Sequence, residues 1–436
     1  MLALVFAALG GLARRQRWYP VAGYVVLAAV GVIAMLSARE AVLTDIAPVV
    51  IGFAVWIVVS SALTDKLRRL EQLDVDEEPR ESSRTRRDFL AITGAVVGIA
   101  AIASVAGRVA GGARRRVETA RGLLRLDAVT QPVVPTGASL GVDGVAPWMT
   151  PAADFYLIDT AFTKPAIVPS EWRLRIHGMV DQEVEISYDD LVAREFMEQW
   201  VTLNCVSNEV GGELVGNAWW SGPLLAPLLE QAGVQDGADA VLQTSDDGWT
   251  CGTPLEALTD DRGAMLAVAM NGEALPVEHG FPVRTLVPGL YGYVSATKWV
   301  VDLEVTRFAD IAAYWTQRGW GVKGPVKTAS RVDVPAEGAQ VTAGSVVIAG
   351  SAWHQLTGIE GVEVSVDGGA WVSADLGDAP SADTWVQWRA EVDLEPGQHR
   401  VRVRATDGDG ETQTSVVRDV LPDGATGWDD VRFSVA

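Results

Sequence analysis

The sequence predicts a chain in three parts: apolar helices at the N-terminus, an α+β body, and an all-β sandwich at the C-terminus. Three observations carry this. Apolar residues crowd into the first 112 positions and lift the mean hydropathy to +0.17. From residue 151, short apolar stretches alternate with turn residues and an occasional helical pattern. From residue 330, apolar and polar residues alternate between Gly and Asp turns, which is the pattern of half-buried strands. A length of 436 residues accommodates two or three such domains.

Residues 1–64 read as transmembrane helices. Two charge-free runs, 20–36 (PVAGYVVLAAVGVIAML) and 47–63 (APVVIGFAVWIVVSSAL), are about long enough to cross a bilayer core. Residues 1–13 are apolar but short, either a signal-like start or the stub of a longer helix. Arg14, Arg15 and Arg17 precede the first run, and Lys66, Arg68 and Arg69 follow the second. The loop between them holds Arg39 with Glu40 and Asp45. The positive-inside rule places the two basic loops in the cytoplasm.

Residues 65–89 form a polar cytoplasmic linker that ends in the string TRRDFL at 85–90. An apolar helix over 90–112 follows it. A paired arginine also caps helix ends in general, but this string ahead of a moderately apolar helix resembles a twin-arginine export signal, which moves proteins already folded. No small-residue cleavage motif precedes Arg114, so the helix is expected to remain as an anchor. The globular body is therefore expected on the extracytoplasmic side of the cell membrane.

A net charge of −21 excludes nucleic acid as a partner, because nothing offsets repulsion from phosphates. Cys205 and Cys251 are the two cysteines, and they leave no disulfide framework and no CxxCH haem attachment. None of His177, His279, His354 and His399 lies in the membrane region, so no haem is expected between the helices. Any electron transfer by this chain would then need a separate partner, cytochrome- or quinone-linked.

Residues 113–150, rich in Arg, Gly, Ala and Pro, read as an extended tether. The body follows over 151–329. WRLRIHGMV (172–180) and AVLQTSDDGWT (240–250) read as strands, and PLLAPLLEQAG (223–233) as a helix. Residues 330–436 read as an immunoglobulin-like sandwich, from VTAGSVVIAGSAW, VEVSVDGGAW and HRVRVRATDGDG, without the antibody-type cysteine pair.

Three segments of the body carry chemistry. In TLNCVSNEVGGELVGNAWWSGPLL (202–225), Cys205 ends an apolar strand and Gly211–Gly212 follow in a loop. A thiolate at a strand end suits a redox-active metal, and glycines permit close backbone approach. A cysteine there also suits a plain buried thiol. MNGEALPVEHGFPVRTLVPGLYGYVSATKWV (270–300) sets His279, Arg284 and Lys298 among Gly and Pro breaks, which suits a phosphate and a polar heterocycle. SDDGWT (245–250) is an acidic turn after a strand.

In this order and spacing, the three segments resemble the molybdopterin-binding domain of the sulfite-oxidase superfamily. The AGSAW, VEVSVDGG and RATD strings resemble that family's C-terminal dimerisation domain. The resemblance covers nearly two-thirds of the chain. It implies a molybdenum cofactor whose protein thiolate ligand falls on Cys205. Pterin and phosphate contacts fall on Asp247, His279, Arg284, Thr297 and Lys298, with Asp246 able to replace Asp247. Phe155 and Tyr156 fall where the cofactor-contact strand begins, and Trp220 falls on a substrate-pocket tryptophan. A homodimer through the sandwich is implied in the same way. Cys251 and His177 have no role in this scheme and read as structural.

Several positions depart from the family pattern. Its Arg-Asn-His strand reads Leu157-Ile158-Asp159, and the two arginines after the ligand cysteine read Glu209-Val210. The sandwich arginine reads Val386 and the pocket tyrosine Val268. A desolvated dianion needs cationic, bidentate partners, so sulfite is poorly matched. The expected activity is two-electron oxygen-atom transfer on a sulfur compound or S-oxide other than sulfite, in a direction the sequence leaves open. The alternatives are a sulfite oxidase or dehydrogenase, and a tethered binding protein without catalysis.

Overall fold

A computed structural model describes residues 112–161 and 163–436, with Val25 and Ala91 as isolated positions. The expected membrane helices, the linker with its paired arginines and the export helix lie outside the described residues. Among the described residues, no helix is long and apolar enough to cross a membrane. The chain divides into two compact units, 1–112 and 113–436, and the second is described below.

The first part of this unit is mostly β with few short helices, a lower helix content than the α+β expectation. Its strands are β1 (Arg173–Gly178), β2 (Val184–Ser187), β3 (Met197–Asn204), β4 (Val215–Gly222), β5 (Ala240–Ser245), β6 (Thr250–Pro254), β7 (Met265–Ala267), β8 (Ala269–Met270), β9 (Glu273–Ala274), β10 (Arg284–Leu286) and β11 (Val300–Thr306). They form sheets in the orders β2-β1-β11-β5-β6, β3-β4-β8-β9 and β10-β7. β1 pairs β11 in parallel, and β3 pairs β4 antiparallel from Met197↔Gly222 to Asn204↔Val215.

Local chemistry explains these elements. In β1 the side chains alternate: Leu174 and Ile176 are fully buried while Arg173 and Arg175 face solvent. Ser187 and Asp190 cap the helix Tyr188–Val192 reciprocally, each side chain bonding the other's backbone N–H. The helix expected over 223–233 is found at Ala226–Ala232, with Pro near its start and Gly233 left-handed at its end. Gly222 permits a close crossing, since a Cβ there would meet Leu266 O at 2.0 Å.

Residues 113–150 differ from the extended tether expected of them. Residues 113–123 are helical, and Val117, Ala138 and Trp148 are buried. Thr130 bonds the Glu198 carboxylate at 2.6 Å through its hydroxyl, and Leu140 N–H donates to Gln387 Oε1 at 2.9 Å. The segment is strapped onto the body because its scattered apolar residues find partners there, which local periodicity does not reveal.

The second part is a sandwich of β12 (Ala329–Val334), β13 (Gln340–Val341), β14 (Gly344–Trp353), β15 (Ile359–Val366), β16 (Val372–Ser373), β17 (Asp375–Leu376), β18 (Val386–Leu394), β19 (Gly397–Asp407) and β20 (Asp429–Val435). One sheet runs β12-β14-β18-β17 and the other β13-β20-β19-β15-β16. Val346, Ile348, Val364, Trp388, Val401, Val403 and Phe433 fill the space between them. Both cysteines of the chain are free.

Truncating Ile176 to Ala removes a fully buried side chain from β1 and is expected to cost about 2–5 kcal/mol, whereas Arg175→Ala on the exposed face is expected to leave stability nearly unchanged. Denaturant unfolding followed by tryptophan fluorescence checks the difference.

Candidate functional site

The site is a cleft of about 830 Å3, counted out to its open mouth, and Cys205, Arg284 and Lys298 all reach it. Each arrives on a different element. Cys205 stands one residue past β3 and is 7% exposed. Its N–H donates to Leu214 O at 2.9 Å, and Asn208 N–H donates to Cys205 O at 3.0 Å. Leu214 N–H donates to Asn208 Oδ1 at 2.8 Å, so the 205–214 loop is tied across its base. Burial pushes the Cys205 thiol up, against the opposing pull of Ser207 and Lys298.

Arg284 opens β10 and is 2% exposed. Its Nη1 donates to His279 O at 3.1 Å and its Nη2 to Ala296 O at 3.4 Å. Among the described residues no carboxylate pairs with it, and burial brings its pKa down to about 10. Trp220 lies against it, 5.1 Å from guanidinium carbon to ring centre. Lys298 donates to Asp159 Oδ2 at 3.0 Å, and burial brings its pKa down to about 8. Asp159 also takes Lys164 Nζ at 2.6 Å. Burial works to raise the Asp159 carboxyl, but Lys298 and Lys164 outweigh it and hold the group below the usual range.

The predicted residues sort into two layers. Phe155, Tyr156, Cys205, Asp247, Arg284 and Lys298 line the cleft. His279, Thr297 and Trp220 do not. Trp220 was expected to wall a substrate pocket, but it is fully buried behind Arg284 and Phe155, and its indole N–H donates to Val201 O at 3.1 Å. The Thr297 hydroxyl turns toward Cys251 Sγ at 3.2 Å. His279 packs its ring on Phe155 and bonds Ala152 O through Nε2 at 2.8 Å, while its Nδ1 is buried without a partner among the described residues. Burial lowers His279 to about 4, so it is neutral with its proton on Nε2.

The cleft also holds residues that the sequence motifs did not single out. Ser245 lines it with a buried hydroxyl that has no partner among the described residues. It begins the SDDGWT string, whose acids drew attention away from it. Ile158, Trp249, Tyr293, Trp315 and Trp320 make an apolar, largely aromatic wall. Two tryptophans flanking TQRG were the available signal. Val268 and Val386, at positions where the resemblance puts a tyrosine and an arginine, are buried core residues. Glu209 is exposed.

The donor set fits a molybdopterin. Among the described residues, a buried guanidinium bonded to carbonyls alone, a lysine beside it and an unpartnered serine hydroxyl suit a phosphorylated heterocycle. The half-buried aromatic wall suits its ring, and the thiol suits a soft metal.

Comparison with known proteins agrees with this geometry. Residues 161–315 match the oxidoreductase molybdopterin binding domain family, and residues 330–403 match a bacterial Ig domain family. The chain is 32% identical over 155 residues to the uncharacterized oxidoreductase YuiH of Bacillus subtilis, covering 36% of this chain and 75% of that protein. It is 28% identical over 288 residues to mitochondrial sulfite oxidase of Homo sapiens, covering 55% of this chain and 52% of that one. It thus spans about half the length of the sulfite oxidases it matches. In structure it is similar to the sulfane dehydrogenase SoxCD from Paracoccus pantotrophus, with a TM-score of 0.57 at 22% identity, over 70% of this chain and 89% of that chain.

Arg284→Met keeps most of the side-chain volume and removes the buried charge. The variant is expected to remain folded and to retain at least about tenfold less molybdenum and pterin after gel filtration. Metal analysis beside circular dichroism checks this, and wild-type loading would contradict it.

Proposed function

The chain belongs to the sulfite-oxidase superfamily of molybdopterin-dependent oxidoreductases, and from that membership we propose a membrane-anchored, extracytoplasmic enzyme that acts on a sulfur compound or S-oxide other than sulfite. Membership makes the protein an enzyme with a molybdenum cofactor. When bound, that cofactor supplies two-electron oxygen-atom transfer chemistry.

The protein's residues supply position and electrostatics. Cys205 is the thiolate that holds the metal, set at the end of β3 where the loop turns its side chain into the cleft. A ligating thiol must lose its proton. Ser207 and Lys298 favour the charged form against burial. Arg284 and Lys298 hold the phosphate, with Asp159 and Lys164 balancing the charge around Lys298. Phe155 and Tyr156, stacked at 5.2 Å, support the ring system. Neutral His279 supports Phe155 from outside the cleft, and Asp247 sits at the cleft edge as an acceptor.

The observation that carries the substrate reading is the more exposed wall. Ile158, 45% exposed, and the half-buried Trp249, Trp315 and Trp320 stand there, while Arg284, which also lines the cleft, is 2% exposed. Such a wall binds an uncharged, partly apolar body and leaves a small dianion without bidentate partners. The arginine pair at 86–87 and the basic loops support export and anchoring. With no haem expected in the chain, a separate cytochrome- or quinone-linked carrier exchanges the electrons, and the sandwich is the candidate dimer surface.

Elemental analysis of protein from a cofactor-competent host is expected to give about one molybdenum per chain, lost or altered in Cys205→Ser. Dye-linked assays in both directions are expected to give an uncharged S-oxide or thioether a kcat/KM at least about tenfold above that of sulfite. A preference for sulfite would overturn the substrate reading.

A further inference from the structure

β3 is the edge strand of its sheet, with β4 on one side only. Its other edge is closed by the C-terminal sandwich. Thr202 N–H donates to Asp383 O at 2.9 Å, and Gln355 Nε2 donates to Thr202 O. Trp385 N–H donates to Thr202 Oγ1 at 2.8 Å, and Trp353 Nε1 donates to Asn204 Oδ1 at 3.2 Å. Thr202, Asn204, Trp353, Gln355 and Trp385 are all buried. An open strand edge is usually covered somehow, but here the cover comes from another domain and ends one residue before Cys205.

The Trp353 bond does more than cover the edge. An indole N–H can only donate, so it fixes which way the Asn204 amide faces. The amide nitrogen then points to Leu214 O at 3.0 Å and Cys205 O at 3.3 Å. One side chain therefore grips both ends of the 205–214 loop. The tip of the loop is held from the same domain: Arg331 Nη1 donates to Gly212 O at 3.0 Å. Gly211 lies so close to Asp429 that a Cβ would meet its Oδ1 at 2.4 Å.

We propose that the C-terminal sandwich is a positioning element for the metal-ligating thiol, acting through Trp353 on Asn204 at the base of the Cys205 loop and through Arg331 on Gly212 at its tip. This rests on Cys205 being the ligand. Val386 leaves the sandwich without a cation for substrate at that position, and the domain serves the site by fixing its thiol. Trp353 and Arg331 touch no reacting atom and act through the loop backbone.

The test compares Trp353→Phe with Trp385→Phe in the loaded full-length enzyme. Both remove one indole N–H at the same interface. The Trp385 indole donates to Trp148 O at 2.8 Å, its backbone bond to Thr202 is unaffected, and Phe keeps an aromatic ring beside the Arg331 guanidinium, which lies 5.8 Å from the ring centre. Molybdenum-edge X-ray absorption reads the metal–sulfur shell, and thermal unfolding reads stability. Trp353→Phe is expected to shift the metal–sulfur shell and lower kcat about tenfold with KM unchanged. Trp385→Phe is expected to lower the unfolding temperature without moving the spectrum. Arg331→Gln is the second probe should Trp353→Phe fold poorly, with a spectral shift expected again. Equal spectra for wild type and both loop-gripping variants, or the same shift in Trp385→Phe, overturns the proposal. Cys205→Ser run alongside separates the two ideas: an unaltered spectrum there means that the ligand assignment itself is wrong.

Discussion

The site is organised around one buried positive charge. Arg284 is 2% exposed and, among the described residues, bonds only peptide carbonyls, at 3.1 and 3.4 Å for its two terminal nitrogens. Carbonyl dipoles offset part of the desolvation of a guanidinium, but a buried ion stays expensive without an opposite charge. The surrounding elements hold it there nonetheless. Gly280, left-handed at φ +108°, lets the chain turn against Lys298, where a Cβ would lie 3.1 Å from the lysine's Cα. Trp220 supports the guanidinium from behind, and Phe155 packs edge-on against both Trp220 and His279. A site built to keep a cation under such conditions suits an anion, and in the proposed function a cofactor phosphate would supply one.

The second constraint is the strand that delivers the thiol. β3 is buried from Trp200 to Asn204 because its sheet covers one edge and the sandwich covers the other. The two domains also exchange hydrogen bonds between Trp148 and Trp385, each indole N–H donating to the other's carbonyl, at 3.2 and 2.8 Å. Rigid delivery of one sulfur by two domains fits chemistry that depends on a fixed metal geometry. It also gives the sandwich a place in the catalytic body beyond any role in assembly.

Much of this was legible in the sequence, and the remainder was not for definable reasons. The alternation in WRLRIHGMV and in the sandwich strings marked their strands because one face of each is buried. The glycine at the end of PLLAPLLEQAG marked a helix stop. Cys205, Arg284 and Lys298 were legible from motif order. Trp220, Thr297 and His279 were identified by position, but which layer each occupies depends on packing between segments, and a linear pattern does not carry depth. Trp353 lies 149 residues from Asn204, and no local period links them. The strap at 113–150 was missed for the same reason: its anchors, Thr130 to Glu198 and Leu140 to Gln387, are long-range. The α+β expectation overestimated helix content because the helices of the body, such as Tyr188–Val192 and Gly292–Ser295, are little more than a turn long and lie between strands.

The most direct measurement is an anomalous difference map at the molybdenum edge from crystals of the loaded enzyme. The account predicts a single peak in the cleft, within bonding distance of Cys205 Sγ, with phosphate density against Arg284 and Lys298. A metal peak elsewhere, or a cleft whose Arg284 faces no anion in the loaded protein, would contradict it.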